Sequence, residues 1–179
     1  MDIISILTLT IVMIVIIILL ASAIRIAMEY QRGVIFRLGR YVGMRGPGLY
    51  FLIPILERAT TVSLRVETYE INKQEMITKD SISLVIDAVV FFRVKTASDA
   101  IIQVENYRNA IEQFSLTALR SAIGSSPLDD VLSEREKVSE EARSMLDEVT
   151  ERWGVEAQRV EIKQVELPES MKRKAPGPG

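Results

Sequence analysis

From residue 3 to residue 24 the chain carries no charged side chain, and no other stretch limits its structure so strongly. At about 1.5 Å per residue, an α-helix of that length reaches about 30 Å, the thickness of a bilayer's hydrocarbon core. Its centre, Ile11-Val12-Met13-Ile14-Val15-Ile16-Ile17-Ile18-Leu19-Leu20, is apolar on every helical face and offers nothing polar to water. A cleaved signal sequence is the competing reading, and Ala21-Ser22-Ala23 has the small residues of a cleavage site. Against it, Asp2 and no Lys or Arg precedes the run, and the run is about twice as long as a signal core. A retained transmembrane anchor over residues 1–26 is therefore expected. Arg25, Arg32, Arg37 and Arg40 follow with only Glu29 among them, so the positive-inside rule gives a single-pass protein of the cell membrane with its body in the cytoplasm.

The remainder, about 150 residues, is enough for one ordinary domain or two small ones sharing a sheet. With 22 Lys and Arg against 24 Asp and Glu, the chain lacks the basic footprint of a nucleic-acid binder, and no nucleic-acid partner is expected. Cysteine and histidine are both absent. That removes disulfides, thiolate and imidazole metal ligands, the Cys nucleophile and the His general base. No catalytic residue, metal site or cofactor is expected, and the chain reads as a non-enzyme.

After the span, Val34-Ile35-Phe36 reads as a short strand closed by Gly39, and Gly43-Met44-Arg45-Gly46-Pro47-Gly48 reads as tight turns. No Lys-Ser/Thr follows those glycines, so they do not form a phosphate loop. The uncharged run Leu49-Tyr50-Phe51-Leu52-Ile53-Pro54-Ile55-Leu56 has two readings that periodicity does not separate. It is either a buried strand or, close behind an anchor, a segment dipping into the headgroup layer. Leu49, Tyr50, Phe51, Leu52 and Ile53 are the candidate membrane-contact residues.

Alternation over residues 59–71 predicts a half-buried strand whose apolar face switches at a bulge or bend near Glu67-Thr68. Residues 82–94 alternate most strongly and read as a central strand covered on both sides. Helices are expected over residues 100–104 and over residues 106–123, the second stopped by Gly124. Ser125-Ser126-Pro127 then starts a short helix with Pro127 at its first position. Asp129-Asp130 complements that helix's dipole, which explains the pair better than a catalytic dyad does. Ser133-Glu134-Arg135-Glu136 has the pattern of a capping box opening a long amphipathic helix through Trp153 and ended by Gly154. Its charges read as a solvated face, with a charged subunit contact as the lesser reading. Residues 155–167 read as an interrupted strand, and Pro168 as the start of a helix that Ala175 and the Pro-Gly run at 176–179 stop.

In order along the chain, Gln31-Arg32-Gly33-Val34-Ile35-Phe36-Arg37-Leu38-Gly39-Arg40, Arg45-Gly46-Pro47-Gly48-Leu49-Tyr50-Phe51-Leu52-Ile53-Pro54 and Met76-Ile77-Thr78-Lys79-Asp80 resemble the SPFH or band-seven superfamily. So do Leu119-Arg120-Ser121-Ala122-Ile123-Gly124, Leu132-Ser133-Glu134-Arg135-Glu136 and Trp153-Gly154-Val155 leading to Val165-Glu166-Leu167-Pro168. The match is closest to the stomatin-like (slipin) branch of prokaryotes. It implies an α+β fold, a mixed sheet with packed helices behind one transmembrane helix. SPFH1 would span residues 27–75 at the membrane, SPFH2 residues 76–167, and a C-terminal helix would start in 168–179. It implies a scaffold that arranges membrane microdomains or membrane proteins, assembled as a homo-oligomeric ring or cage in contact with membrane lipids. An alternative role is adaptor, regulator or substrate of an NfeD-type membrane protease. No catalytic or cofactor residues come with the family. Its members continue from the Met171-Lys172-Arg173 position into a long Ala/Glu/Arg-rich helix, where this chain has Lys174 and the Pro-Gly run, a difference that suggests truncation.

Overall fold

A computed structural model describes residues 3–167. The uncharged run forms helix α1 (Ile3–Ala23), on which no residue is buried. Its Thr8, Thr10 and Ser22 hydroxyls turn back onto the helix's own carbonyls, with Thr10 donating to Ile6 O at 2.8 Å and Ser22 to Leu19 O at 2.8 Å. Such bonds satisfy the hydroxyls without water, as a lipid-exposed helix requires.

The chain then separates into two compact units that part between Leu64 and Arg65. In the first, β1 (Ile24–Ala27), β2 (Gln31–Arg37), β3 (Arg40–Arg45), β4 (Gly48–Phe51) and β5 (Glu57–Ser63) follow α1. β1 and β4 form a two-stranded ribbon, and β3, β2 and β5 a three-stranded sheet in that order. The expected turns from Gly43 onward shrink to Gly46-Pro47. The strand continues because Ile35 pairs with Gly43 and Phe36 with Tyr41, which leaves Val42 as an extra residue in β3 and lets the ladder resume.

The second unit contains β6 (Glu67–Ile77), β7 (Ser83–Val94), α2 (Ala97–Ile102), α3 (Tyr107–Ser125), α4 (Leu128–Ser133), α5 (Arg135–Thr150), a 3₁₀ turn (Glu151–Trp153) and β8 (Val155–Glu166). Its sheet has the order β6-β7-β8, so β7 is central as its alternation predicts. Leu84, Ile86, Ala88 and Val90 of β7 join Ile71, Met76, Val160 and Ile162 beneath Leu119 and Ile123 of α3 and Val138, Ala142 and Leu146 of α5. On β7's other face only Val89 is fully buried, so the cover expected on both sides is complete on one.

Several expectations change. Every strand pairing among the described residues is antiparallel, so three small antiparallel sheets stand where one mixed or shared sheet was expected. Residues 59–71 are not one bent strand: the chain leaves β5 at Ser63 and re-enters a different sheet at Glu67. The expected boundary after residue 75 consequently falls inside β6. The bulge lies later than Glu67-Thr68, between Ile71 opposite Ala88 and Gln74 opposite Ile86, where Lys73 has φ 43° and donates its N–H to the Asp87 carboxylate. Helix α2 starts at Ala97 rather than Ala100. Helix α3 runs past Gly124 and stops before Pro127, which is the N-cap of α4 rather than its first helical residue. No capping box forms at α5, since Glu134 is the N-cap without a side-chain capping bond, its carboxylate pairing with Lys137, and the Ser133 hydroxyl donates to Asp129 O instead. Trp153 belongs to the 3₁₀ turn rather than to the long helix, and Phe114, exposed on α3, packs edge-on against it. The interruption expected in the last strand is present, as register shifts of β8 against β7 on either side of the Ala88 to Phe91 stretch. The helix start expected at Pro168 lies outside the described residues.

Candidate membrane-facing surface

The ribbon is continuous with α1. Ile24 follows the last helical residue directly, and the Leu52 N–H donates to Ala23 O at 2.8 Å. Side chains along a strand alternate between faces, and residues directly opposite on an antiparallel pair share one. Ile24 lies opposite Phe51 and Ile26 opposite Leu49, so four large apolar residues occupy one face. All four are exposed: Ile24 45%, Ile26 70%, Leu49 58% and Phe51 65%. Ile53, just past β4, is 46% exposed.

The other face is core. Tyr50 and Leu52, each 8% exposed, pack with Ala27, Ile35 and Ala59. Two of the five expected membrane-contact residues, Tyr50 and Leu52, are thus interior, because a strand cannot present consecutive residues to one side. Leu49, Phe51 and Ile53 remain on the surface, joined by Ile24 and Ile26. Sequence reasoning placed both isoleucines in the anchor, expected to run to residue 26, whereas the helix ends at Ala23 and both lie in β1; the signal that unites them with Leu49 and Phe51 is the pairing register. The inner face meets the three-stranded sheet at Gly33, where a Cβ would lie 2.9 Å from the Tyr50 hydroxyl oxygen.

The turn from β4 to β5 is closed by one carboxylate. Glu57 accepts from the Ile53 N–H at 2.9 Å and from Arg37 Nη2 at 2.7 Å, and its backbone N–H returns to Ile53 O at 2.9 Å. The Ile53 N–H and then the Arg37 guanidinium hold its carboxyl below the usual carboxylate range. At the same end Leu38 (φ 49°) and Ile55 (φ 73°) sit in the left-handed region with exposed side chains, and the Leu38 N–H donates to Leu56 O. A β-branched residue in that region is a backbone outlier, and here it displays an isoleucine at a turn. Residues 24–64 hold six arginines and two glutamates, so this unit's strands carry a net positive charge.

The acidic pair Asp129-Asp130 lies in the first turn of α4, whose Leu128 N–H is capped by Asp80 at 3.0 Å. Among the described residues no group of acidic side chains stands close enough together to hold a metal ion.

A family model described as SPFH domain / Band 7 family matches residues 25–175. A stomatin homolog of Pyrococcus abyssi is 52% identical over 154 residues, which is 86% of this chain and 58% of the relative. A stomatin homolog of Pyrococcus horikoshii is 51% identical over the same length and shares. Mechanosensory protein 2 of Caenorhabditis elegans is 41% identical over 152 residues, 84% of this chain and 32% of its own. The chain therefore spans well under two thirds of the length of these relatives.

Proposed function

Because this chain belongs to the SPFH domain / Band 7 family as a stomatin-like prokaryotic member, we propose that it is a membrane-anchored, non-enzymatic scaffold that self-associates and arranges lipids or proteins around it. The observation that carries this reading is the passage of an unburied apolar helix directly into a ribbon whose exposed face is also apolar. Transfer from water is favourable by about 1.5–3 kcal/mol for each fully buried large apolar side chain. Four such residues give the first unit reason to lie on the bilayer, with the membrane-facing role falling to that unit. Without cysteine or histidine, the usual nucleophile and base pairs cannot be built.

One reconstitution tests both halves. The chain has no cysteine, so Phe51→Cys and Ser144→Cys each give a single labelling site, the latter exposed on α5. A polarity-sensitive dye at position 51 is expected to emit as if in hydrocarbon and to be quenched by lipids carrying shallow quenchers, while the same dye at 144 reports water. Donor-labelled and acceptor-labelled copies at 144 are expected to transfer energy even when the vesicles are diluted with excess lipid. Water-like emission at 51 removes the membrane-facing surface, and transfer that vanishes on dilution removes the scaffold.

A further inference from the structure

Arg25 and Arg58, far apart in the chain, line one cleft of about 360 Å³ together with Thr61, Tyr50, Leu52 and Ala59. Arg25 lies directly opposite Tyr50 in the ribbon, so its side chain leaves on the inner face, away from the exposed apolar one. Glu57 also borders the cleft, but its two oxygens are taken by Arg37 and by the Ile53 N–H. Among the described residues neither the Arg25 nor the Arg58 guanidinium has an ion pair or a hydrogen bond, although both backbones pair in their ladders. Two uncommitted guanidinium groups and a threonine hydroxyl suit an anion with several acceptor oxygens, since arginine's planar fork matches phosphate geometry. Tyr50, Leu52 and Ala59 add an apolar wall, which a bare inorganic anion does not need.

The height of the cleft narrows the ligand further. Arg25 is the second residue beyond the end of α1, where a spanning helix leaves hydrocarbon and meets the phosphates of the leaflet. We infer that this cleft is a docking site for the phosphate of an anionic phospholipid headgroup, held by Arg25 and Arg58 with the glycerol portion against Tyr50 and Leu52. The inference rests on α1 being a membrane span, as proposed above. It adds to that reading a defined lipid at a defined place, where the apolar face of the ribbon supplies only unselective attraction.

The test uses the full chain in detergent micelles, with native mass spectrometry reading retained lipid. Phosphatidylglycerol is expected to be retained in preference to phosphatidylcholine. Arg25→Gln and Arg58→Gln are each expected to weaken retention about fivefold or more, the scale for losing one cation near a headgroup. Arg40→Gln removes an equal, exposed charge of the same unit outside the cleft and is expected to leave retention unchanged. Arg25→Lys, which keeps the charge, is expected to restore most of it and so separates lost charge from lost fold. Equal weakening by Arg40→Gln overturns the site in favour of diffuse charge, and no weakening by either cleft variant overturns it outright. Displacement of the lipid by millimolar inorganic phosphate makes it a free-phosphate site and overturns the lipid assignment. Dimers lost together with lipid in the cleft variants make it a contact with a second copy. A high-salt wash of membranes reads the anchor separately. A chain that washes off refutes the span, whereas a retained chain with no preference for anionic lipid refutes the cleft alone.

Discussion

Gly33 and Tyr50 show how much of the first unit depends on one missing side chain. A Cβ on Gly33 would sit 2.9 Å from the Tyr50 hydroxyl oxygen and 3.2 Å from the ring carbon that bears it. That ring closes the inner face of the ribbon over the sheet, so it has little room to retreat. Gly33→Ala is expected to destabilise the protein by about 1–3 kcal/mol, the usual range for overpacking. Tyr50→Phe removes the offending oxygen and is expected to recover part of that loss in the Gly33→Ala background, although it lowers stability little or not at all alone. Thermal unfolding of the four proteins in the same detergent reads the coupling. Strict additivity would show that Tyr50 does not occupy the space over Gly33.

Among the elements, the junction of the 3₁₀ turn with β8 is the most constrained. Gly154 has φ 65°, and its carbonyl accepts from both Lys95 and Thr96 N–H, at 2.8 and 3.0 Å. A Cβ there would lie 2.7 Å from Thr96 O and 2.8 Å from Thr96 Cβ, so β-strand and α2 start leave no space beside it. Gly154→Ala combines a left-handed backbone penalty with a backbone clash, and a loss of about 2–5 kcal/mol is expected. Hydrogen exchange should show the β7 and β8 amides losing protection together; protection lost only in the 3₁₀ turn would mean that the junction frays without loosening the sheet. The nearby charges of α5 serve the same packing. Arg143 bonds Glu140 at 2.6 Å, and Asp147 accepts the Ala157 N–H at 3.0 Å, so several charges that read as a free or partner-seeking face tie the helix to itself and to β8.

Over the whole molecule, charge is unevenly divided. Residues 24–64 carry six arginines against two glutamates, while the full chain has 22 basic and 24 acidic residues, which leaves the second unit acidic. The basic residues that follow the span suit a membrane whose inner leaflet is anionic. The expected topology puts both units in the cytoplasm. In intact cells a membrane-impermeant thiol reagent should leave Ser144→Cys unlabelled, and labelling should appear once the cells are opened. Labelling before opening would place the body outside and reverse the orientation.

The sequence alone determined the features that depend on near neighbours. An uncharged run of bilayer length, the two-residue alternation of β7, the helical spacing in α3 and α5 and the turn at Gly154 are all written in consecutive residues, and the structure keeps them. The family was also legible, because its motifs are short and occur in order. Tertiary structure decided what depends on partners distant in the chain. Residues 59–71 alternate well enough to read as one strand, yet two separate sheets compete for the halves and break it at residues 64–66. Gly124 looks like a helix stop, but a Cβ there would meet only Ile77 O at 3.8 Å, and the helix continues to the Ser126-Pro127 exit. Leu49 to Ile53 reads as uniformly apolar, and only its pairing with Ile24 to Ala27 shows which residues face outward and which close the core. The cleft had no local signature for the same reason: Arg25 and Arg58 become neighbours only when the ribbon folds over the sheet.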